Sequence, residues 1–166
     1  RLARFAQADA DLRRASGIAG SAFPLVADEA NRVLAQSLLL QERIGEGQQV
    51  ADALLADYQR RLGDAHPLVG RAWRVVANLQ CSGGNLDACA VSIGQAERIV
   101  RLHYGERHPE FADVLRVRAL LGVFGKSSPE DAIAMLQHAE TLLLAAYPPH
   151  HGTVRGGRSR GARRLD

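Results

Sequence analysis

Aromatic side chains are scarce in this 166-residue chain: Phe, Trp and Tyr together make up 5% of it, and Trp occurs once. Sheet cores lean on aromatic and β-branched residues, so a composition rich instead in Ala and Leu argues for an all-α fold packed through small and aliphatic side chains. Lysine is nearly missing, Lys126 being the only one; the Arg- and Ala-rich balance suits a GC-rich bacterial genome. No apolar run reaches the roughly 18 residues that a membrane-crossing helix needs, so no membrane contact is expected within this segment. Cys81 and Cys89 stand eight apart, which fits no C-x-x-C motif, and buried free thiols are expected.

Catalytic patterns are missing as well. The chain contains no G-x-S-x-G, H-E-x-x-H or kinase catalytic-loop sequence. The stretch Gly122 to Ser127 approaches a phosphate loop, but the first glycine of that motif would fall at 120, which is Leu. His66 and His108 each precede a proline, and His150-His151 sits in a Pro-rich exit, so no histidine has the partners of a metal site. Neither an enzyme nor a cofactor or metal is expected from these residues.

What is present is ordinary for a globular domain: 46% hydrophobic and 23% charged residues, in a chain long enough for one buried core. The pI near 9.3 suggests nucleic acid until the charges are located. Arg155, Arg158, Arg160, Arg163 and Arg164 crowd the last stretch against Asp166 alone, while the rest of the chain is close to neutral. A phosphate-binding face is therefore not expected in the body, and residues 152–166, rich in Gly and Arg, read as a disordered tail. The chain begins with Arg1, not Met, and reads as an excerpt from something longer.

The strongest signal is an internal repeat. Arg32-Val33-Leu34-Ala35, Arg74-Val75-Val76-Ala77 and Arg116-Val117-Arg118-Ala119 follow one another at steps of 42 residues. Leu62-Gly63-Asp64-Ala65-His66-Pro67 recurs as Tyr104-Gly105-Glu106-Arg107-His108-Pro109. A period of this length marks units that bury their apolar faces against their neighbours. Each unit reads as a helix pair. Pro67 opens a helix that runs to about Ser82, Gly83-Gly84 ends it, and Asn85 caps the next. Pro109 opens another that reaches Phe124, Gly125 stops it, and Ser128-Pro129-Glu130-Asp131 starts its mate. The earliest pair begins near Pro24, runs through Leu40 and is expected to break at Gly45-Glu46-Gly47. With a leading helix in residues 1–23, the three pairs at 24–65, 66–107 and 108–151 make about seven helices. In the last of them, Ala132, Met135, Leu136, Ala139, Leu142, Leu143 and Ala146 form one apolar face.

On these residues the span 24–151 resembles tetratricopeptide repeats of the 42-residue, kinesin-light-chain-like type. His66-Pro67 and His108-Pro109 match that family's opening, Ala35, Ala77 and Ala119 its small contact between helices A and B, and Gly84 and Gly125 its stop between them. Cys89 and Ala132 stand at its small position in helix B. The resemblance implies a right-handed superhelical solenoid of antiparallel helix pairs whose concave face, lined by helix A, binds a protein or peptide. It places Glu29, Arg32, Gln36, Arg71, Arg74, Asn78, Asp113, Arg116 and Leu120 there. A ladder of Arg32, Arg74 and Arg116 with Gln36 and Asn78 beside it is expected to take an acidic peptide through guanidinium forks. Glu29 and Asp113 can pair with the arginine one turn on, whereas Arg71 would repel Arg74 and leave the centre free to bind. On that reading Arg74→Ala weakens an acidic peptide without lowering the melting temperature. The implied role is a cytoplasmic interaction scaffold; the alternatives are a carboxy-terminal regulatory module of a larger bacterial signalling protein, such as a serine/threonine kinase or transcriptional regulator, and a small-ligand sensor.

Overall fold

Prolines and polar caps cut the chain where the sequence suggests. The computed structural model describes residues 2–20 and 22–147, with side chains from Phe5 onward. The tail at 152–166 and the exit around His150-His151 lie outside the described residues. Among the described residues the chain forms seven helices and no strand: α1 (Leu2–Ala19), α2 (Pro24–Leu40), α3 (Ile44–Leu62), α4 (Pro67–Ser82), α5 (Leu86–Tyr104), α6 (Pro109–Val123) and α7 (Pro129–Ala146). Pro24, Pro67, Pro109 and Pro129 each open a helix at a position whose N–H has no intrahelical partner. The residue before three of them supplies the missing acceptor. His66 Nδ1 accepts from the Leu68 N–H, His108 Nδ1 from the Glu110 N–H, and Ser128 Oγ from the Asp131 N–H. The His-Pro pairs are thus helix caps, which accounts for their recurrence without any ligand role.

The break in the first pair is not where the glycines suggest. Chain reversal occurs at Gln41 to Arg43, and Gly45 and Gly47 lie inside α3. The turn requires one left-handed residue. Gly84 provides it between α4 and α5 at φ +81°, but at the equivalent place between α2 and α3 stands Glu42, at φ +61°. Gly47 is needed for a different reason: a Cβ there would lie 2.8 Å from Leu79 Cδ2 and 3.3 Å from the Ala35 carbonyl oxygen. It is the small contact of α3, as buried Cys89 and Ala132 are for α5 and α7.

Successive helices pack antiparallel in adjacent pairs, α1 on α2 through to α6 on α7, as a helical repeat array does. Ala35, Ala77 and Ala119, the last residues of the repeated tetrads, are all buried at the helix contacts. One apolar cluster joins Leu54, Tyr58, Val69, Val76 and Leu79 across α3 and α4, with Ala35 from α2 and Ile99 from α5. A second joins Ile93, Val100, Phe111, Val114, Leu115 and Leu142 across α5, α6 and α7. Neither cluster belongs to one pair, so each unit depends on its neighbour for burial worth about 1.5–3 kcal/mol per large side chain.

Two corrections concern α4, α5 and α7. Cys81 and Cys89 are not free thiols but form a disulfide across the turn, with Cα atoms 5.2 Å apart. Such bonds are commonest in oxidising compartments. The apolar face of α7 is also only partly used: Ala132, Ala139 and Leu142 are buried, but Leu136 is 45% exposed. Among the described residues no helix is long and apolar enough to cross a membrane.

Buried carboxylates lock the first helices. Asp9 of α1 accepts hydrogen bonds from Ser37 Oγ (2.7 Å), Gln41 Nε2 (2.9 Å) and Arg43 Nη1 (3.0 Å), tying α1 to the turn after α2. Asp28 of α2 is paired with Arg61 of α3 at 2.7 Å.

Candidate functional site

Helices α2, α4 and α6 form the inner layer of the array. α2 lies directly against α4 and α4 against α6, while among the described residues the backbones of α3 and α5 and of α5 and α7 stay apart, and α1 reaches α3 through the Arg13–Glu46 ion pair at 3.6 Å. Layers that touch on one side and part on the other bend the stack, concave toward α2, α4 and α6. The repeated arginines lie on that side.

All seven residues singled out for partner binding line two adjoining depressions there. Gln36, Arg74, Asn78, Asp113 and Arg116 surround a hollow of about 340 Å³ whose apolar wall includes Leu120 and Leu136. Arg32, Arg71 and Arg74, with Glu29 and Glu110, surround a polar one of about 240 Å³. Arg74 belongs to both.

The electrostatics differ from the expected ladder. Arg71 does not stand against Arg74 as a free like charge; it pairs with Glu110 of α6. Arg74 reaches Asp113 of α6 at 3.1 Å. Arg32, lacking an acid on α4, is held by both carboxylate oxygens of its own Glu29 and donates to Gln36 Oε1 at 3.0 Å. Burial pushes the Arg74 guanidinium below its ordinary range, while Asp113 and Glu110 pull it back. The hydrogen bond from Arg32 holds Glu29 below the usual carboxylate range, against its partial burial. The centre of the array is therefore charge-matched across repeats, and Arg74 also ties α4 to α6. An Arg74→Ala change would loosen the stack, contrary to the expectation of an unchanged melting temperature.

Two groups remain open. Arg116 is the most solvent-exposed of the three ladder arginines, at 62%, with only Asp113 beside it at 3.3 Å. Among the described residues the Asn78 carboxamide has no hydrogen-bond partner, although it faces the larger hollow. No local signal marks Glu110 as a groove residue, because its partner Arg71 lies 39 residues away on another helix. A third hollow, of about 360 Å³ and mostly apolar, lies beyond Arg116 against Leu136, Leu143 and Leu144 of α7 and Tyr147 just after it. Among the described residues no group of His, Cys, Asp and Glu is placed to hold a metal ion.

No family model matches this sequence, and no curated protein matches it either.

Proposed function

We propose that this chain is a non-catalytic protein-interaction module of the tetratricopeptide type, which takes an extended peptide along the concave face of α2, α4 and α6. The tetratricopeptide assignment is supported by the 42-residue step, the His-Pro caps and the small residues at the helix contacts. The binding reading is carried by one observation: the Asn78 carboxamide has no hydrogen-bond partner among the described residues and faces a hollow. A carboxamide presents one acceptor and two donors, which match the N–H and C=O of an extended backbone. The Gln36 Nε2 group stands in the same hollow, its Oε1 already bound to Arg32. Val117 and Leu120 offer an apolar floor, and Arg116 offers a guanidinium to one carboxylate of the peptide. Specificity on this reading comes from backbone shape and a single acidic residue, with Arg32, Arg71 and Arg74 held by their own acids.

Selection of binders from a displayed random-peptide library on the full chain tests this. Selected peptides should lose roughly five- to tenfold in affinity on Asn78→Ala, at unchanged melting temperature. Failure to select any peptide, or binders indifferent to both Asn78→Ala and Arg116→Ala, would refute the proposal.

A further inference from the structure

α7 carries a face that its predecessors cover. Counted from the caps Arg43, Asn85 and Ser128, the eighth residues of the three outer helices are Ala51, Ile93 and Leu136. The first two are 1% exposed and the third 45%. At the fifteenth place stand Tyr58, Val100 and Leu143, of which Tyr58 and Val100 are buried while Leu143 borders the open hollow. At the sixteenth, Arg101 of α5 lies over the Phe111 ring of α6, and its counterpart on α7 is Leu144, half exposed. In α3 and α5 the eighth and fifteenth residues belong to the apolar clusters that join these helices to the inner helix of the next pair, α4 and α6 respectively. On α7 they bound a hollow whose far wall is Arg116 of α6. That is the place a further inner helix would fill, resting on both the preceding outer and the preceding inner helix as α6 rests on α5 and α4.

The charges repeat the same geometry. Arg74 of α4 is answered by Asp113 of the next inner helix, and Glu97 of α5 by Arg118 of that same helix. Their equivalents, Arg116 and Glu140, flank the open hollow, and Glu140 has no basic partner among the described residues. We infer that this flank of α7 receives an amphipathic helix from a partner protein, one that carries an acidic residue five places before a basic one beside its apolar stripe. Asp113 and Arg118 have that spacing in α6, alongside Phe111, Val114 and Leu115.

Other occupants fit less well. The chain's own residues 152–166 contain Gly152, Gly156, Gly157 and Gly161 and only Val154 and Leu165 as larger aliphatic residues, too little for an apolar stripe. The residue 39 places after Arg116 is Arg155, a like charge where α6 offers acids to α4. A second copy's α7 would set like charges together, since this helix bears Glu130, Asp131 and Glu140 and neither Arg nor Lys.

A labelled peptide with the sequence of residues 105–124, titrated into the full chain and followed by fluorescence anisotropy, serves as the probe. Saturable binding is expected. Glu140→Arg should weaken it roughly tenfold, and the same peptide carrying Arg118→Glu should recover that loss on the variant chain. Leu144→Asp should weaken it to a similar degree, while Asn78→Ala leaves it unchanged. Neither Glu140 nor Leu144 lines the groove along α2, α4 and α6, so failure here and failure of the groove reading are separable. Absence of saturation, or indifference to Glu140→Arg, overturns the inference. A dimer of the full chain that the peptide disperses would give the face to a second copy, and tighter peptide binding on Arg158→Glu/Arg160→Glu would give it to the tail; either result also overturns it.

Discussion

Removing the disulfide between Cys81 and Cys89 tests how far one helix pair holds the array together. The bond closes a loop with a sequence separation of eight, joining the last turn of α4 to the first turn of α5. By chain entropy, closing so short a loop in the unfolded state stabilises the fold by about 2–3 kcal/mol. For a chain of this size each kcal/mol moves the melting temperature by roughly 2–4 °C, so loss of the bond should lower it by roughly 5–10 °C. The double variant Cys81→Ala/Cys89→Ala is the appropriate perturbation. Position 89 is occupied by Gly47 and Ala132 in the neighbouring pairs, so alanine fits there without strain. Thermal unfolding by circular dichroism, with and without reductant, should show the loss in the variant and no further effect of reductant on it. Both cysteines are completely buried, so reductant reaches the wild-type bond only when the α4–α5 pair opens, and the rate of reduction should follow that opening. Alkylation of the unreduced, denatured chain provides the refutation: two labelled thiols would mean that no bond exists and that the argument fails at its first step.

Acid should weaken the Asp9 cluster. Burial alone would raise this carboxyl, but hydrogen bonds from Gln41 and Ser37 and the charge of Arg43 outweigh it and hold Asp9 below its usual range. A depressed carboxyl stabilises above its unfolded value and loses that contribution as pH falls through its folded one. Asp9→Asn should therefore cost about 1.5–3 kcal/mol at neutral pH and flatten the acid limb of a melting-temperature profile, and an unchanged limb would count against the network. Glu42→Gly should raise stability by about 0.5–1 kcal/mol in a urea titration, since it relieves a left-handed residue where the next pair already has Gly84. Arg74→Ala should lower stability by roughly 1–3 kcal/mol, because Asp113 loses its partner on α4, whereas Asn78→Ala should leave it unchanged; equal melting temperatures for the two would deny the cross-repeat pair a structural role.

The fold was legible wherever a local chemical rule carried the signal. Proline at a first helical position, serine or asparagine at a cap and a glycine stop are all decided by the backbone within a few residues, so α4 to α7 could be drawn from the sequence nearly to their ends. The same rule misled at the first pair. Its turn residue is Glu42, which propensity disfavours there, and the glycine that looks like a stop, Gly47, is a packing contact inside α3. The disulfide was hidden for a similar reason: eight residues is no motif in a linear count, and only the reversal between α4 and α5 brings Cys81 opposite Cys89.

The groove was legible as a location but not as an electrostatic surface. A tetrad repeated every 42 residues puts Arg32, Arg74 and Arg116 in one row, and reading along a single helix looks for acids three residues away. In a stacked array the residue 39 places ahead is just as near, being three short of the next repeat. Arg71 finds Glu110 there and Arg74 finds Asp113, while Arg32 finds only Arg71 and turns back to Glu29. Pairing across repeats converts what looks like a cationic ladder into mortar between inner helices, and charge spent inside the stack attracts little from outside it. On the proposed reading, recognition then falls to groups the stacking leaves over. In the middle of the array that is the Asn78 amide; at α7 it is Arg116 and Glu140, which among the described residues have no inner helix to answer them as α6 answers Arg74 and Glu97.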